Sequence, residues 1–355
     1  MRIEKNYYER DTSFIGAHYQ PAVMLDLALS RDIDSHALLR GTRLFMDDML
    51  TGHKLISPDQ FLRLLKNGQE LLNADDTSFL FGQRLFPGFF GPTSQVLALE
   101  TNLRNTLMHL CDAHVILSPL CTPRYFESHS HLYIYWLDNC GADTLHTFLI
   151  EAYMTAIASM AARMSSKSLP WHFYFTHPEP RYIEQYWVHL NEHLSFNQQL
   201  NMMRIPLEHA TQPWSRCSPV SLQLASLGSK AQLSDIGFEG SFLDTLYAFL
   251  KNNIRENLQL ESVADAFGIS ATSLKRKLLK HNTHFQHELD LARKHVALYL
   301  YLIKAYKHHE VADHLGFNDM NNFRRAFKRW TGLTPSDYCK TSIPDSFLGM
   351  VALNH

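Results

Sequence analysis

Two short segments near the C-terminus place lysine and arginine where they could contact a polyanion. Residues 271–280 read ATSLKRKLLK, residues 320–330 read MNNFRRAFKRW, and neither segment contains an acidic residue. Lysine and arginine bind phosphates, and arginine and asparagine can also hydrogen-bond to the edges of bases. A single basic helix face is usually only solvated surface, so the interpretation depends on whether the pattern recurs.

Each basic segment follows a similar stretch of sequence. Residues 263–270 read VADAFGIS and residues 311–318 read VADHLGFN, so each has Val-Ala, an apolar residue four positions after the valine, and then glycine. This pattern predicts a short helix ended by a glycine with positive φ, followed by a tight turn. It also predicts a second helix in each case, capped by Ser270 or by Asp319.

Alignment of the two caps brings the basic segments into register. The apolar residues then coincide at i, i+4 spacing and predict the buried stripe of each helix, Leu274 and Leu278 in one, Phe323 and Phe327 in the other. The outer faces coincide as well, with Thr272, Lys275 and Arg276 matching Asn321, Arg324 and Arg325. The duplication predicts two helix-turn-helix units, whose second helices would lie in a DNA major groove.

The sequence between the two units predicts one long helix. From about residue 284 to residue 306, apolar residues recur at helical spacing: Phe285, Leu289, Ala292, Val296, Tyr299 and Ile303. Some 20 helical residues span roughly 30 Å, and successive major-groove faces on one side of B-DNA lie roughly 34 Å apart. One rigid helix could therefore hold two reading heads in register.

The charge of the chain is distributed unevenly. The net charge is −2, but residues 1–240 hold 18 Lys+Arg against 24 Asp+Glu, whereas residues 241–340 hold 15 against 10. A local basic region directs a protein towards phosphate more effectively than the whole-chain charge does. The basic excess therefore agrees with the predicted DNA contact at the C-terminal end.

Composition and cysteine usage limit the class of protein. A chain of 355 residues with 45% hydrophobic and 19% charged residues predicts a folded protein of two domains, or three. The five cysteines form no C-x-x-C pair, which favours a reducing cytoplasm over a disulfide framework or a structural zinc site. The charged N-terminus lacks the apolar core of a secretory signal, and His146, Glu151 and Arg163 interrupt the most apolar helical stretch, 145–164. We therefore expect a cytoplasmic protein without a membrane span.

The N-terminal half predicts an α+β sensor domain. Residues 21–110 read mainly as helices, including one that Ser57 would cap with Pro58 at its first position. The strand candidates are HVILSP at 114–119, HSHLYIYWLDN at 129–139 and WHFYFTHP at 171–178, and helical spacing returns over 143–164. Its aromatic and methionine residues could line an effector pocket or simply form a packed core, so no pocket residues are assigned.

Composition also suggests the domain boundaries. Residues 209–240 are rich in serine, glycine and proline and contain one short helical stretch, SLQLASL. We expect an effector-sensing and dimerisation domain at 1–227, a linker at 228–240, a DNA-binding domain at 241–340 and a C-terminal tail at 341–355.

One cluster could instead hold a metal. His129 and His131 lie two residues apart on the expected strand and so would face the same side, with Glu127 as a possible third ligand. A polar strand face is the simpler interpretation. The sequence contains no P-loop, dinucleotide-binding fingerprint or nucleophile elbow, so we expect no cofactor, no resident metal and no enzymatic activity.

Residues 241–340 resemble the AraC/XylS family of bacterial transcription regulators. The residues that carry the resemblance are Ala312, Leu315, Gly316, Phe317, Phe323, Arg325, Ala326, Phe327, Lys328, Arg329, Trp330, Gly332, Thr334, Pro335 and Tyr338. The resemblance implies a seven-helix domain with two helix-turn-helix units. Three residues depart from the common pattern, namely Asn318, Asn322 and Arg324, so no target sequence is transferred from the family.

The resemblance, together with the outer-face pattern, assigns roles in DNA binding. The expected base-reading residues are Thr272, Lys275, Arg276, Met320, Asn321, Arg324 and Arg325. The expected phosphate-binding residues are Lys277, Lys280, Lys328 and Arg329.

A weaker resemblance extends upstream, to the subgroup with the arabinose-binding-type N-terminal region of the ornithine-utilisation regulator. Its cues are Leu55-Ile56-Ser57-Pro58, Phe81-Gly82, Phe90-Gly91, residues 99–103 (LETNL), residues 175–180 (FTHPEP) and Tyr186. With these segments the resemblance covers most of residues 20–340.

The sequence thus predicts a DNA-binding transcription regulator that is sequence-specific, dimeric and controlled by a small-molecule effector. Its expected partners are double-stranded DNA, a second copy of the chain, an effector of unidentified structure and, for an activator, RNA polymerase; no membrane is expected. Two alternatives stay open: a metal-dependent enzyme domain around His129 and His131 with a DNA-binding tail, or a non-specific architectural DNA binder.

Overall fold

The computed structural model describes residue 3, residues 5–214 and residues 218–341. The chain divides into two compact units, one from Asn6 to Phe242 and the other from Leu243 onward. Ile3 belongs to the second unit, where its backbone N–H donates to the carbonyl of Ala266 at 2.8 Å. The expected tail at 341–355 lies outside the described residues, apart from the last helical residue, 341.

The N-terminal unit combines twelve helices with nine short or medium strands in its described part. The helices are α1 (Gln20–Leu29), α2 (Ser35–Leu39), α3 (Met46–Leu50), α4 (Pro58–Leu72), α5 (Thr77–Leu85), α6 (Pro92–Leu99), α7 (Leu103–Asp112), α8 (His114–Leu117), α9 (His146–Ser165), α10 (Ile183–His189), α11 (Leu207–Thr211) and α12 (Pro219–Ile236). The strands are β1 (Tyr7–Tyr8), β2 (Ile15–Gly16), β3 (Leu55–Ile56), β4 (Cys121–Glu127), β5 (His131–Asp138), β6 (His172–Tyr174), β7 (Leu194–Ser195), β8 (Met202–Pro206) and β9 (Gly240–Ser241). The α+β prediction for this half is confirmed.

The strands form one main sheet and two small pairs. The main sheet has the order β4-β5-β8-β6-β7 and is antiparallel except for the parallel pair β6 and β7. In β5, Leu132 and Ile134 are fully buried and join the hydrophobic core, as does Phe173 of β6. The two pairs are β1 with β9 and β2 with β3. Alternating side chains of β5 and β6 thus attach the main sheet to the core.

Helix α4 begins as its sequence predicts. The Ser57 hydroxyl accepts from the backbone N–H of Gln60 at 3.3 Å, and the Gln60 side chain accepts from the N–H of Ser57 at 3.1 Å, with Pro58 at the first helical position. This reciprocal pair satisfies two N–H groups that a helix start would otherwise leave free. The predicted cap is confirmed.

Helix α9 crosses the core of the N-terminal unit. The stretch 143–165 is long and apolar enough to span a membrane, yet 78% of its most apolar window is buried inside the folded unit. Its one buried carboxylate, Glu151, accepts hydrogen bonds from Ser78 (2.5 Å), Tyr182 (3.0 Å) and Tyr186. Burial nevertheless raises the pKa of Glu151. The burial of α9 is typical of a core helix of a globular domain.

Two expectations for this unit, the strand at HVILSP and the shared strand face of His129 and His131, are wrong in detail. Residues 114–117 form the short helix α8, whereas HVILSP had predicted a strand. His129 lies in the turn before β5, so it does not share a strand face with His131. Helix α12 extends to Ile236, so most of the expected linker at 228–240 is helical. A Cβ on Gly228 would come within 2.8 Å of Pro92 on α6, so the close approach of α12 to α6 favours glycine at this position.

The C-terminal unit is all helical in its described part. Its helices are α13 (Phe242–Asn252), α14 (Leu260–Ala266), α15 (Ala271–Lys280), α16 (Phe285–Leu302), α17 (His308–His314), α18 (Met320–Thr331) and α19 (Pro335–Thr341). The seven helices agree with the number that the resemblance implies. Helix α16 ends four residues before the expected end at 306, but it is still the long helix between the two predicted helix-turn-helix units.

Candidate nucleic-acid interface

The first helix-turn-helix unit consists of α14, a turn and α15. Gly268 in the turn has φ of +65°, a conformation that favours glycine. The Ser270 hydroxyl caps α15 by accepting from the backbone N–H of Ser273 at 3.1 Å. Leu274 and Leu278 are only 0% and 1% exposed, so this face of α15 is packed against the rest of the C-terminal unit. The predicted cap and stripe are confirmed.

The other face of α15 carries the residues expected to contact DNA. Thr272, Lys275 and Arg276 are exposed, whereas Lys277 and Lys280 are half-buried. Lys275 to Lys280 span five residues, roughly 1.4 helical turns, so α15 presents basic groups along its C-terminal half. This face can donate hydrogen bonds to phosphates and to base acceptors without any change in the core.

The second unit repeats this arrangement with α17 and α18. The Asp319 carboxylate accepts from the backbone N–H groups of Asn321 (3.1 Å) and Asn322 (3.2 Å) and so caps α18. In the turn, Gly316 has φ of +74°, and a Cβ there would lie 2.4 Å from the carbonyl oxygen of Arg255. Both the backbone conformation and the close approach therefore require glycine at this position.

The buried side of α18 is aromatic. Phe323 and Phe327 are fully buried, and their ring centroids are 5.8 Å apart. Trp330 is half-buried and lies 6.0 Å from Phe317, measured between ring centroids. These contacts confirm the stripe predicted from the i, i+4 spacing, and they fix the rotation of α18 about its own axis.

The exposed side of α18 presents asparagine and arginine. Asn321, Arg324 and Arg325 are exposed, and Met320 is half-buried at the start of the helix. The Arg325 guanidinium donates to the Asn322 side-chain oxygen at 3.2 Å, which holds both groups on the outer face. The structure thus places Asn321, Arg324 and Arg325 on the outer face of α18, whereas Met320 lies nearer the buried stripe, three residues before Phe323.

One expected phosphate-binding residue already has a partner. Arg329 donates two hydrogen bonds, at 2.9 and 3.0 Å, to the carboxylate of Asp290 on α16. Lys328 and Arg329 are both exposed. A contact between Arg329 and a phosphate would therefore have to compete with Asp290. Local sequence patterns carry no signal for this pair, because 39 residues separate its members.

Helix α16 connects the two helix-turn-helix units and is anchored by buried polar residues. Its 18 residues give it a length of about 27 Å. His295 is buried, its Nδ1 lies 3.1 Å from the Tyr247 hydroxyl, and burial lowers its pKa to about 3. At the other end, the Tyr301 hydroxyl lies 3.1 Å from Nδ1 of His308 on α17. Burial, and secondarily Arg324, lower the pKa of His308, so this imidazole stays neutral beside the basic face.

The residues of the possible metal cluster are engaged elsewhere. Glu127 accepts from Arg104 at 2.7 Å, and Nδ1 of His131 lies 2.8 Å from the Ser130 hydroxyl. Within residues 3, 5–214 and 218–341, three or more His, Cys, Asp or Glu side chains do not come together in a metal-binding group.

Both halves of the chain match known protein families. Residues 33–214 match the arabinose-binding domain of AraC transcription regulators, which is N-terminal in those proteins. Residues 263–341 match a helix-turn-helix domain, and this range begins in α14 and ends in α19.

The chain is also similar to individual proteins. The chain is 24% identical over 316 residues to the ornithine utilization regulator of Pseudomonas aeruginosa, covering 89% of this chain and 93% of that protein. It is 26% identical over 106 residues to the transcriptional activator CfaD of Escherichia coli, covering 30% of this chain and 39% of the activator. The crystal structure of the transcriptional regulator CdpR from Pseudomonas aeruginosa is 17% identical, with a TM-score of 0.42 over 91% of this chain and 98% of that one.

One conclusion follows from the two family matches. The geometry of the two helix-turn-helix units, α14–α15 and α17–α18, agrees with it. The chain belongs to the AraC family and is a helix-turn-helix DNA-binding transcription regulator with an arabinose-binding-type N-terminal domain.

Proposed function

We propose that the two helix-turn-helix units read a single operator with sequence specificity. The observation that carries this proposal is a repeated arrangement. Helices α15 and α18 are each capped at the N-terminus, packed through one apolar face and exposed on a basic opposite face. The proposed base readers are Thr272, Lys275, Arg276, Met320, Asn321, Arg324 and Arg325. The proposed phosphate contacts are Lys277, Lys280, Lys328 and Arg329, the last of these by exchange of its bond to Asp290. The domain division at 1–227, 228–240 and 241–340 is part of the proposal, with α12 extending the sensor half.

The regulator acts as a homodimer, and α12 supplies the contact. Val220, Leu224 and Leu227 are 71%, 65% and 59% exposed, at successive spacings of four and three residues. This is the spacing of a seam between two packed helices. The opposite side of α12 is held to α6, where the Thr93 hydroxyl lies 3.1 Å from the Ser229 hydroxyl and donates to Gln232 at 2.7 Å. An apolar stripe on a firmly held helix suits pairing with the same stripe of a second copy.

A small molecule bound to the N-terminal unit controls the affinity for DNA. Such control requires the effector to bind one arrangement of the dimer better than another. Because the relative from Pseudomonas aeruginosa is an ornithine utilization regulator, ornithine and related amino acids are the first metabolites to test. In an activator, the bound dimer would also contact RNA polymerase.

The protein acts in the cytoplasm and is not an enzyme. The absence of a C-x-x-C pair among five cysteines suits a reducing compartment, and the relatives described above are transcription regulators. The partners are double-stranded DNA, the second copy and the effector.

Footprinting of all chromosomal DNA bound by the full chain tests the proposal, with and without candidate metabolites. We expect a small set of sites, bound about 10³-fold or more tightly than random duplex at the same salt concentration. Equal affinity for every duplex would contradict the proposal and would support the architectural alternative. Stoichiometric metal in tag-free protein would support the enzymatic alternative.

A further inference from the structure

A groove of about 520 Å³ opens on the surface of the N-terminal unit, where α2 and α3 meet. Its lining comes from residues 35–47, with Arg40, Arg43 and Phe45 among them. The volume falls within the range of small-molecule sites, roughly 300–1,000 Å³. The groove lies on a different unit from the DNA-contacting helices, so DNA binding does not account for it.

The loop that forms the groove is held rigidly against α4. The Asn67 side-chain nitrogen donates to the carbonyl oxygens of Leu38 (2.7 Å) and Arg40 (2.8 Å). The Gln60 side-chain nitrogen donates to the carbonyl of Thr42 at 2.9 Å. Asn67 is buried, so these hydrogen bonds compete little with water. The walls of the groove are therefore formed before any ligand arrives.

Three arginines converge on this loop. Arg40 and Arg43 are exposed in the lining, and Arg63 projects from the same face of α4 as Gln60 and Asn67. The Arg63 guanidinium lies 3.4 Å from the position of a Cβ built on Gly41. None of the three has a carboxylate within 4.0 Å in the described part of the chain, unlike Arg10, Arg31, Arg104 and Arg329, which do.

The groove combines this charge with exposed apolar surface. Asp47 is the acidic residue of the lining, so Arg40 and Arg43 leave a local excess of positive charge, and Arg63 lies beside the loop at Gly41. Phe45 and Met46, also in the lining, are 73% and 39% exposed. The exposed ring of Phe45 beside guanidinium groups without a carboxylate partner suits a ligand with both an anionic and an apolar part.

We propose that this groove binds a small organic anion, whose carboxylate or phosphate contacts Arg40, Arg43 and Arg63 and whose apolar part packs on Phe45. The inference rests on the proposed effector control, since it gives the effector a place and a chemical class. The guanidinium groups can bind either anion with paired hydrogen bonds.

Calorimetric titration of the full chain at low salt tests the site, with phenylacetate, phenyl phosphate and the neutral 2-phenylethanol as probes. We expect at least one anion to bind once per chain, and the alcohol to bind at least about tenfold more weakly. The stronger of the two anions identifies the acidic group. The double variant Arg40→Gln/Arg63→Gln and the single variant Phe45→Ser should each weaken binding, the first by about tenfold or more. All three side chains are exposed, so the fold should persist.

Arg181→Gln is the matched control, because this arginine is 86% exposed in the same unit and outside the groove. Absence of binding by both anions, or unchanged affinity in the double variant and in Phe45→Ser, would overturn the site. A bound anion that leaves the affinity for DNA unchanged would support the site but contradict effector control. A metabolite that alters DNA affinity equally in the wild type and the double variant would show that the effector binds elsewhere. That result would overturn the groove as the effector site and leave effector control intact.

Discussion

Arg329 on α18 and Asp290 on α16 form a two-point ion pair, with N···O distances of 2.9 and 3.0 Å. The pair joins α18, the second DNA-contacting helix, to α16, the helix that connects the two helix-turn-helix units. Its side chains are 60% and 20% exposed, so solvent screens the attraction. The pair therefore orients α18 while adding little to stability.

Asp290→Asn should release Arg329 for phosphate binding. We expect a loss of less than about 1 kcal/mol in the free energy of unfolding and tighter binding to any duplex. The dependence of log affinity on log salt should change by less than about one unit, because Arg329 contacts a phosphate in both proteins and the variant only removes the competing carboxylate. Urea denaturation and salt titrations of DNA binding measure the two effects. Weaker DNA binding by this variant would show that the pair holds α18 in its binding position.

Phe323→Ala should destabilise the C-terminal unit strongly. Phe323 is fully buried on α18, and a phenylalanine-to-alanine change in a core costs about 3–5 kcal/mol. Leu279→Ala, at a position 61% exposed on α15, is the matched control and should change stability by less than about 0.5 kcal/mol. Guanidinium denaturation followed by helical circular dichroism gives both values. Similar values for the two variants would contradict the assigned rotation of α18 or of α15.

His295 should make stability depend on pH. Its pKa is lowered to about 3 in the fold, chiefly by burial and secondarily by Lys294, against about 6.5 in the unfolded chain. The folded protein binds fewer protons than the unfolded chain between these values. The contribution of His295 is therefore complete above about pH 6.5 and is lost as the pH falls towards 3, by about 2 kcal/mol at pH 5. Denaturation at pH 7 and pH 5 should show that the free energy of unfolding falls less in His295→Gln than in the wild type. The exposed-site control His309→Gln should behave as the wild type does. An equal fall in the free energy of unfolding in all three proteins would contradict this role.

Leu224→Asp/Leu227→Asp should produce a monomer. Two carboxylates in the exposed stripe of α12 would place like charges across the proposed seam, which costs several kcal/mol in an apolar contact. Gln223→Asp adds a charge at an exposed position of the same helix beside the stripe and should leave the dimer intact. Sedimentation equilibrium distinguishes the states. A monomeric wild-type chain at micromolar concentration, or a dimeric double variant, would rule out the α12 contact.

Local rules in the sequence explain which features could be predicted. The caps at Ser57, Ser270 and Asp319 and the stripe of Phe323 and Phe327 depend on neighbours within one helical turn, and each is confirmed. The doubled helix-turn-helix followed from repetition of those same local features.

Other features depend on contacts between distant residues. Residues 114–117 form an apolar run too short to distinguish a helix from a strand by periodicity. The Ser, Gly and Pro content of 209–240 suggested a linker at 228–240, but α12 continues to Ile236 and packs on α6, where Gly228 approaches Pro92. The pair Asp290–Arg329 and the meeting of Arg63 with the loop around Gly41 join separate segments of the chain, and local sequence carries no signal for either.

The central claim is that α15 and α18 read sequence, and a paired binding titration tests it most directly. Arg276→Ala, Arg325→Ala and Lys251→Ala would each be titrated against the tightest footprinted site and a scrambled duplex at one salt concentration. Lys251 is an exposed basic residue on α13, outside both reading helices. We expect the first two variants to lose about 1–3 kcal/mol at the cognate site and much less on the scrambled duplex, while Lys251→Ala retains the wild-type specificity ratio. Loss of equal size on both duplexes, or no loss in either reading-helix variant, would contradict the account.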